Sequence, residues 1–260
     1  MIRVTTEQLN VWLAAFLWPL ARILALIASA PVIGNTSIPA RVKIGLAIFV
    51  TLLVAPLLPA PPSTDPASAT GLLILAQQVL IGLAMGFTMG IVIHAAEMAG
   101  ELIGLQMGLG FATLYDASVP GMIPVIGRYL GIVISLALLA VDGHLLMLSA
   151  LVESFHVLPI TRLSAPSGLR AVAEWGGKIF SYSLALSLPL LAALLITNLA
   201  LGVLTRAAPQ LNIFAVGFPL TILMGVLILT LSFRYFAPAF ERMLMASFTA
   251  ILQVAAALRY

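Results

Sequence analysis

The sequence contains no cysteine. That absence excludes disulfides, thiolate nucleophiles, iron–sulfur clusters and thiolate zinc sites, and leaves the redox compartment undetermined. Charge is almost as scarce, with twelve Lys and Arg and nine Asp and Glu among 260 residues, giving a net charge of +3. The basic residues stand singly, whereas a nucleic-acid face needs clustered cations to displace counterions, so nucleic acid is not an expected partner. Also missing are the G-x-S-x-G, H-E-x-x-H, Walker A and G-x-G-x-x-G signatures, so acyl transfer, metal-assisted hydrolysis and nucleotide use have no support. The expectation is a protein that is not an enzyme, with no catalytic residue, cofactor or metal site.

What the sequence has in abundance is apolar surface. Hydrophobic residues make up 62% of the chain, and the mean hydropathy is +1.16. Those values lie outside the range of soluble globular domains and point to an integral membrane protein. No polar linker interrupts the apolar blocks, so residues 1–260 read as a single membrane-embedded domain. The small residues "ASA" at 28–30 resemble a signal-peptide cleavage site. The stretch before them is long for such a peptide and carries Trp12, Trp18, Pro19 and Arg22, so it is expected to be retained.

A helix needs about 20 apolar residues to cross a hydrocarbon core of about 30 Å. Residues 8–30 qualify provided Arg22 finds a partner or snorkels, 42–58 is short but apolar, and 71–96 makes a third helix. The prolines and polar residues of 59–70 form a loop between the second and third. Residues 122–158 read as one helix or a helical pair, with Asp142, Gly143 and His144 as a polar turn stabilised by a side-chain hydrogen bond. The runs 179–205 and 207–233 carry no formal charge, and the turn "TRAAPQLN" makes them an antiparallel hairpin, with Pro189 and Pro219 as candidate kinks. The fold class is all-α: a polytopic protein of long, kinked helical hairpins around a broken middle. Arg41 and Lys43 orient the first loop to the cytoplasm, but simple alternation then puts Arg162, Arg170 and Lys178 outside, against the positive-inside rule. Either the broken segment adds a crossing or some helices do not span lipid in the ordinary sense.

Two glycine sets recur every fourth residue: Gly82, Gly86 and Gly90, then Gly100, Gly104 and Gly108. Each lines one helix face and lets a neighbouring backbone approach, either within this chain or on another subunit. Met85, Met89, Met98 and Met107 lie near them as core filler or as a deformable lining. Arg22, His94, Glu97, Glu101, Asp142, His144 and Glu153 are the ionisable groups at membrane depth. His94, Glu97 and Glu101 share a helix face, but two carboxylates at i, i+4 repel and nothing supplies further metal ligands, so a solvated interfacial face is the simpler reading.

The segment "GELIGLQMGLGFATLYDASVPG" at 100–121 begins as a membrane helix and stops being one. Irregular backbone at membrane depth is tolerated only where protein buries it or water wets it. With "DGHLLML" at 142–148, "ESFHVLPI" at 153–160, "APQLNIFAVGFPLTILMG" at 208–225 and "SIPARVKIGLAI" at 37–48, it resembles the FliR family of flagellar biosynthetic proteins, the SctT/FliR subunits of type III secretion export gates. The resemblance covers nearly the whole chain except the 59–70 loop and the end beyond about 236.

That resemblance implies a subunit of a helical hetero-oligomer with FliP and FliQ, adjoined by FlhB and FlhA, in the flagellar basal body of the bacterial inner membrane. Unfolded flagellar proteins pass through its pore, and much of the assembly stands out of the membrane plane. It further implies that Phe111, Leu114, Tyr115 and Asp116 belong to a pore plug. Gly108, Gly110, Pro120 and Gly121 would let that loop fold back and move, and Gly82, Gly86, Gly90, Gly100 and Gly104 remain packing seams. The alternative is a secondary transporter, in which broken helices bind a small solute near the midplane; it requires internal repeats, and no convincing duplication of halves is present.

Overall fold

The computed structural model describes residues 6–59, 62, 64–110, 125–160, 166–208 and 213–257. Within them are eight α-helices: α1 (Thr6–Ser29), α2 (Ala40–Val54), α3 (Ala69–Gln106), α4 (Val125–Ala140), α5 (Gly143–Val157), α6 (Pro166–Gly176), α7 (Lys178–Ala207) and α8 (Ile213–Ala257). A single 3-10 turn, Ala55–Leu57, closes α2 where Pro56 cannot donate to the helix. Among the described residues five stretches are long and apolar enough to cross a membrane, or six if the bent pair α4 and α5 is one span, and the chain is an all-α polytopic membrane protein.

Most sequence-derived elements recur, with three differences. The third helix runs ten residues further than expected, through Gly100 and Gly104, before it stops. Of the two readings of 122–158, the helical pair is the one found, as α4 and α5, broken at Val141 and Asp142. The last helix continues through Arg234, Glu241 and Arg242 to Ala257, because isolated charges on an exposed face do not end a helix. Helix α6 was not expected at all.

The described chain divides into two compact units. One comprises Met1–Ile91, Leu139–Gly176 and Met245–Tyr260, and the other Val92–Leu138 and Gly177–Leu244. In the first unit α1 packs on α2, and the intervening turn is closed by Lys43 Nζ donating to Gly34 O at 2.7 Å. Gly82 and Gly86 of α3 receive α1 at backbone distance: a Cβ on Gly82 would stand 2.8 Å from Ala25 Cβ and 2.9 Å from Leu26 N, and one on Gly86 would stand 2.9 Å from Ser29 Cβ. Gly90 is buried on the same helix.

Arg22 is the polar centre of this unit and is wholly buried. Its Nε donates to Gln78 Oε1 at 2.8 Å. Nη1 donates to Ser154 O at 3.0 Å and Ser154 Oγ at 3.1 Å, and Nη2 donates to Leu158 O at 3.0 Å. The guanidinium carbon lies 4.1 Å from the centroid of the Phe155 ring. Every one of these acceptors is neutral. The charge is met by carbonyls at the C-terminus of α5, where the helix dipole is negative, and by a ring face. Arg22 therefore finds partners and does not snorkel, tying α1, α3 and α5 together at one point.

In the second unit Gly100 of α3 meets Gly127 of α4, whose Cα would lie 2.6 Å from a Cβ added at Gly100. Tyr129, Phe233, Phe236 and Phe240 make a chain of edge-on and tilted ring contacts with centroids 5.7–6.0 Å apart, a favourable aromatic geometry. Asp142, outside this unit, adopts a left-handed conformation with φ 54°. It caps α5 through its backbone carbonyl, which accepts from Leu145 N and Leu146 N. The expected side-chain hydrogen bond is not made.

Burial is uneven along the sequence. Only 22% of the apolar window in Arg170–Ala207 and 11% of that in Val216–Val254 is covered by this chain. The second of these stretches, 39 residues long, rises about 58 Å as a helix, roughly twice the hydrocarbon thickness. Fitting it within lipid would need a tilt of about 60°, beyond the 0–40° that transmembrane helices adopt.

Candidate functional site: the foot of the mid-chain loop

The segment singled out in the sequence, 100–121, is described as far as Gly110. Phe111, Leu114, Tyr115, Asp116, Pro120 and Gly121 lie outside the described residues.

Helix α3 ends by a specific mechanism. Leu109 N donates to Gly104 O at 3.0 Å and Gly108 N donates to Leu105 O at 3.0 Å, while Gly108 takes a left-handed φ of 84°. This pair of bonds, reaching five and three residues back, is the Schellman arrangement, in which a glycine at the first non-helical position lets the last carbonyls be satisfied. A residue bearing a Cβ would be strained there. Gly108 thus acts as a helix stop, and Gly104 is a buried helical residue that supplies the terminal carbonyl.

The stop is clamped from one side by α8. Phe218, Thr221 and Gly225 follow at i, i+3 and i+7, so they share one face of that helix. A Cβ on Gly108 would lie 2.7 Å from Phe218 Cε1. Thr221 Oγ1 reaches Met107 O at 3.3 Å as well as Phe218 O at 2.9 Å, meeting a carbonyl that the ending helix leaves unpaired. Met107 is fully buried, and its Sδ would stand 2.7 Å from a Cβ added at Gly225. Beside this clamp opens a cavity of about 480 Å³ lined by Leu105, Gln106, Met107 and Gly108 of α3, Asn198, Leu201 and Gly202 of α7, and Gly217, Phe218 and Thr221 of α8. Gly110 sits where a Cβ would come 2.7 Å from Leu105 Cδ2. The point from which the 111–124 segment departs is therefore fixed by packing within the protein.

The ionisable face of α3 has a simpler arrangement. His94 Nδ1 and Glu97 Oε2 are 3.0 Å apart. Gly131 of α4 makes room for the Glu97 side chain, since a Cβ there would lie 2.8 Å from Glu97 Cγ. Glu101 is exposed. Among the described residues no three His, Asp or Glu side chains converge as metal ligands do.

Sequence reasoning found Met107 and Gly108 but missed their partners Phe218, Thr221 and Gly225. The available signal was "GFPLTILMG" at 217–225, where two glycines and a threonine in an apolar run mark a close approach with one polar contact. Gln78 and Ser154 were missed beside Arg22 for the same reason: polar residues in otherwise lipid-like helices.

Residues 13–247 match the model of a family described as bacterial export proteins, family 1. The chain is 43% identical over 255 residues to the flagellar biosynthetic protein FliR of Escherichia coli (strain K12), covering 98% of this chain and 97% of that protein. It is 47% identical over 234 residues to FliR of Pectobacterium carotovorum subsp. carotovorum, covering 89% of each. To FliR of Bacillus subtilis (strain 168) it is 31% identical over 219 residues, covering 83% of this chain and 84% of that one.

Proposed function

Because this chain belongs to the bacterial export proteins, family 1, we propose that it is a component of the flagellar export apparatus. In finer detail, it is the subunit that forms, with FliP and FliQ, the channel through which unfolded flagellar proteins cross the bacterial inner membrane, with FlhB and FlhA adjoining. Its place is then the flagellar basal body. The observation that carries this reading is the Val216–Val254 stretch of α8, 39 residues long and so longer than a bilayer can shield, with 11% of its apolar window buried by the chain itself. Apolar surface beyond the hydrocarbon needs other polypeptide to cover it, and a helical hetero-oligomer supplies that cover.

In this reading the loop after Gly108 is a pore plug, carried by Phe111, Leu114, Tyr115 and Asp116, with Pro120 and Gly121 closing its far end. What supports it is the anchoring of the near end: a left-handed glycine pressed on Phe218, beside a cavity large enough to receive side chains. The loop is then held at its root. Deletion of 110–119 is expected to raise the inner-membrane conductance of small ions in cells that assemble the gate. Unchanged conductance in cells that still contain the assembled deletion variant rejects the plug.

A further inference from the structure

Inside the helices of the second unit, Gly100, Gly127, Gly131 and Gly225 each meet another part of the chain, at 2.5–2.8 Å from an added Cβ. Gly202 of α7 behaves differently: nothing lies within 4 Å of a Cβ built there. A glycine in a helix interior weakens the helix relative to alanine, and within this chain Gly202 is not used for packing.

Gly202 stands in an apolar stripe. Leu188, Leu195, Leu199, Gly202 and Arg206 follow at spacings of seven, four, three and four residues, which puts them on one face of α7. All five are exposed. The opposite face, with Leu186, Leu190 and Leu194, is buried in the chain. The cavity at the foot of the mid-chain loop opens at the same point, since Gly202 lines it beside Asn198 and Leu201 of α7 and Gly217 and Phe218 of α8. A helix lying on the stripe therefore reaches the cavity across a position with no side chain, and small residues on an apolar face are what let two helices approach at backbone distance.

One charge closes the stripe. Arg206 lies in the last turn of α7, where a cation suits the helix's negative end. Its exposed side chain makes no ion pair among the described residues. Helix α7 contains no Asp or Glu, so the same face of a second copy offers Arg206 no carboxylate.

We propose that Gly202 is the crossing point for a helix of a different polypeptide. That helix is apolar where it lies along Leu188, Leu195 and Leu199, inserts a side chain into the cavity, and presents a carboxylate to Arg206. Met107, Leu201 and Phe218 give the cavity apolar walls, so the inserted side chain is aliphatic or aromatic. This rests on the reading of the chain as one subunit of a hetero-oligomer, and adds where on α7 a neighbour sits and what chemistry it carries.

Packing within the chain and packing against a neighbour are separated by two matched substitutions, Gly202→Leu on the stripe and Ala200→Leu, exposed but off it. Each is made in the tagged full chain, at its native level in membranes of flagellated cells. Both variants are expected to accumulate like the native chain, and only Gly202→Leu to lower the co-purifying polypeptide, about tenfold. Arg206→Lys, treated with a carbodiimide that joins amines to adjacent carboxylates, is expected to give an adduct with a second polypeptide that the native chain does not form. Unchanged co-purification with Gly202→Leu overturns the crossing point and leaves the hetero-oligomer standing. An adduct of twice the chain's mass shows a second copy and overturns the proposal. Recovery of the native chain with no other polypeptide overturns the hetero-oligomer and the proposal together. If Gly202→Leu lowers the amount of chain in the membrane, the adduct decides alone, and its absence overturns the proposal.

Discussion

A buried arginine with no carboxylate partner among the described residues is held by what it donates to, so its acceptors are not equivalent. Gln78→Leu leaves the buried Nε–H of Arg22 with no acceptor, and a lost bond to a charged group costs about 2 kcal/mol. Ser154→Ala removes only the hydroxyl, because Ser154 O still accepts from Nη1, and costs about 1 kcal/mol. Heating the detergent-solubilised protein and measuring the fraction that stays monodisperse is expected to rank Gln78→Leu below Ser154→Ala, and both below the native chain; equal behaviour contradicts the bonding described. Glycines give a second contrast of sign. Gly82→Ala drives a methyl into α1 and destabilises, whereas at Gly45 nothing lies within 4 Å of an added Cβ, so Gly45→Ala is neutral or stabilises by up to about 1 kcal/mol. The same heating assay reads both. The sequence announced that Arg22 needed partners, but those partners stand 56 and 132 residues away, a distance that composition and periodicity do not encode.

The helices themselves were legible where apolar runs approached bilayer length, since that search looks for about 20 residues without charge. It passed over α6 because eleven residues with one charge pair and a mixed composition fall below the threshold; only its two-faced pattern betrays it. It also cut α8 short at Arg234. The third helix was ended at 96, although the four-residue glycine spacing read as a packing face over 100–108 belongs to a continuous, closely packed helix that only Gly108 stops. Two penalties coincide at that stop, a left-handed backbone and contact with Phe218. Gly108→Ala is therefore expected to impair assembly and motility. Adding Phe218→Ala relieves the contact but not the backbone strain of about 1–2 kcal/mol, so the double variant recovers partly. Full recovery would show that contact alone matters, and no defect in Gly108→Ala would remove the stop from the account.

For the molecule as a whole, the quantity that matters is apolar surface the chain leaves uncovered. A secondary transporter would match its helices to one bilayer; the 39-residue stretch of α8 exceeds one, and the family matched over residues 13–247 is described as bacterial export proteins. The central claim is that neighbouring polypeptides, not lipid alone, cover this surface. It is tested most directly by purifying the tagged chain at its native level from membranes of flagellated cells and measuring the mass and composition of the particle. Recovery in a particle of fixed ratio with FliP and FliQ is the predicted result. A stable, monodisperse single copy with no other polypeptide would contradict the account.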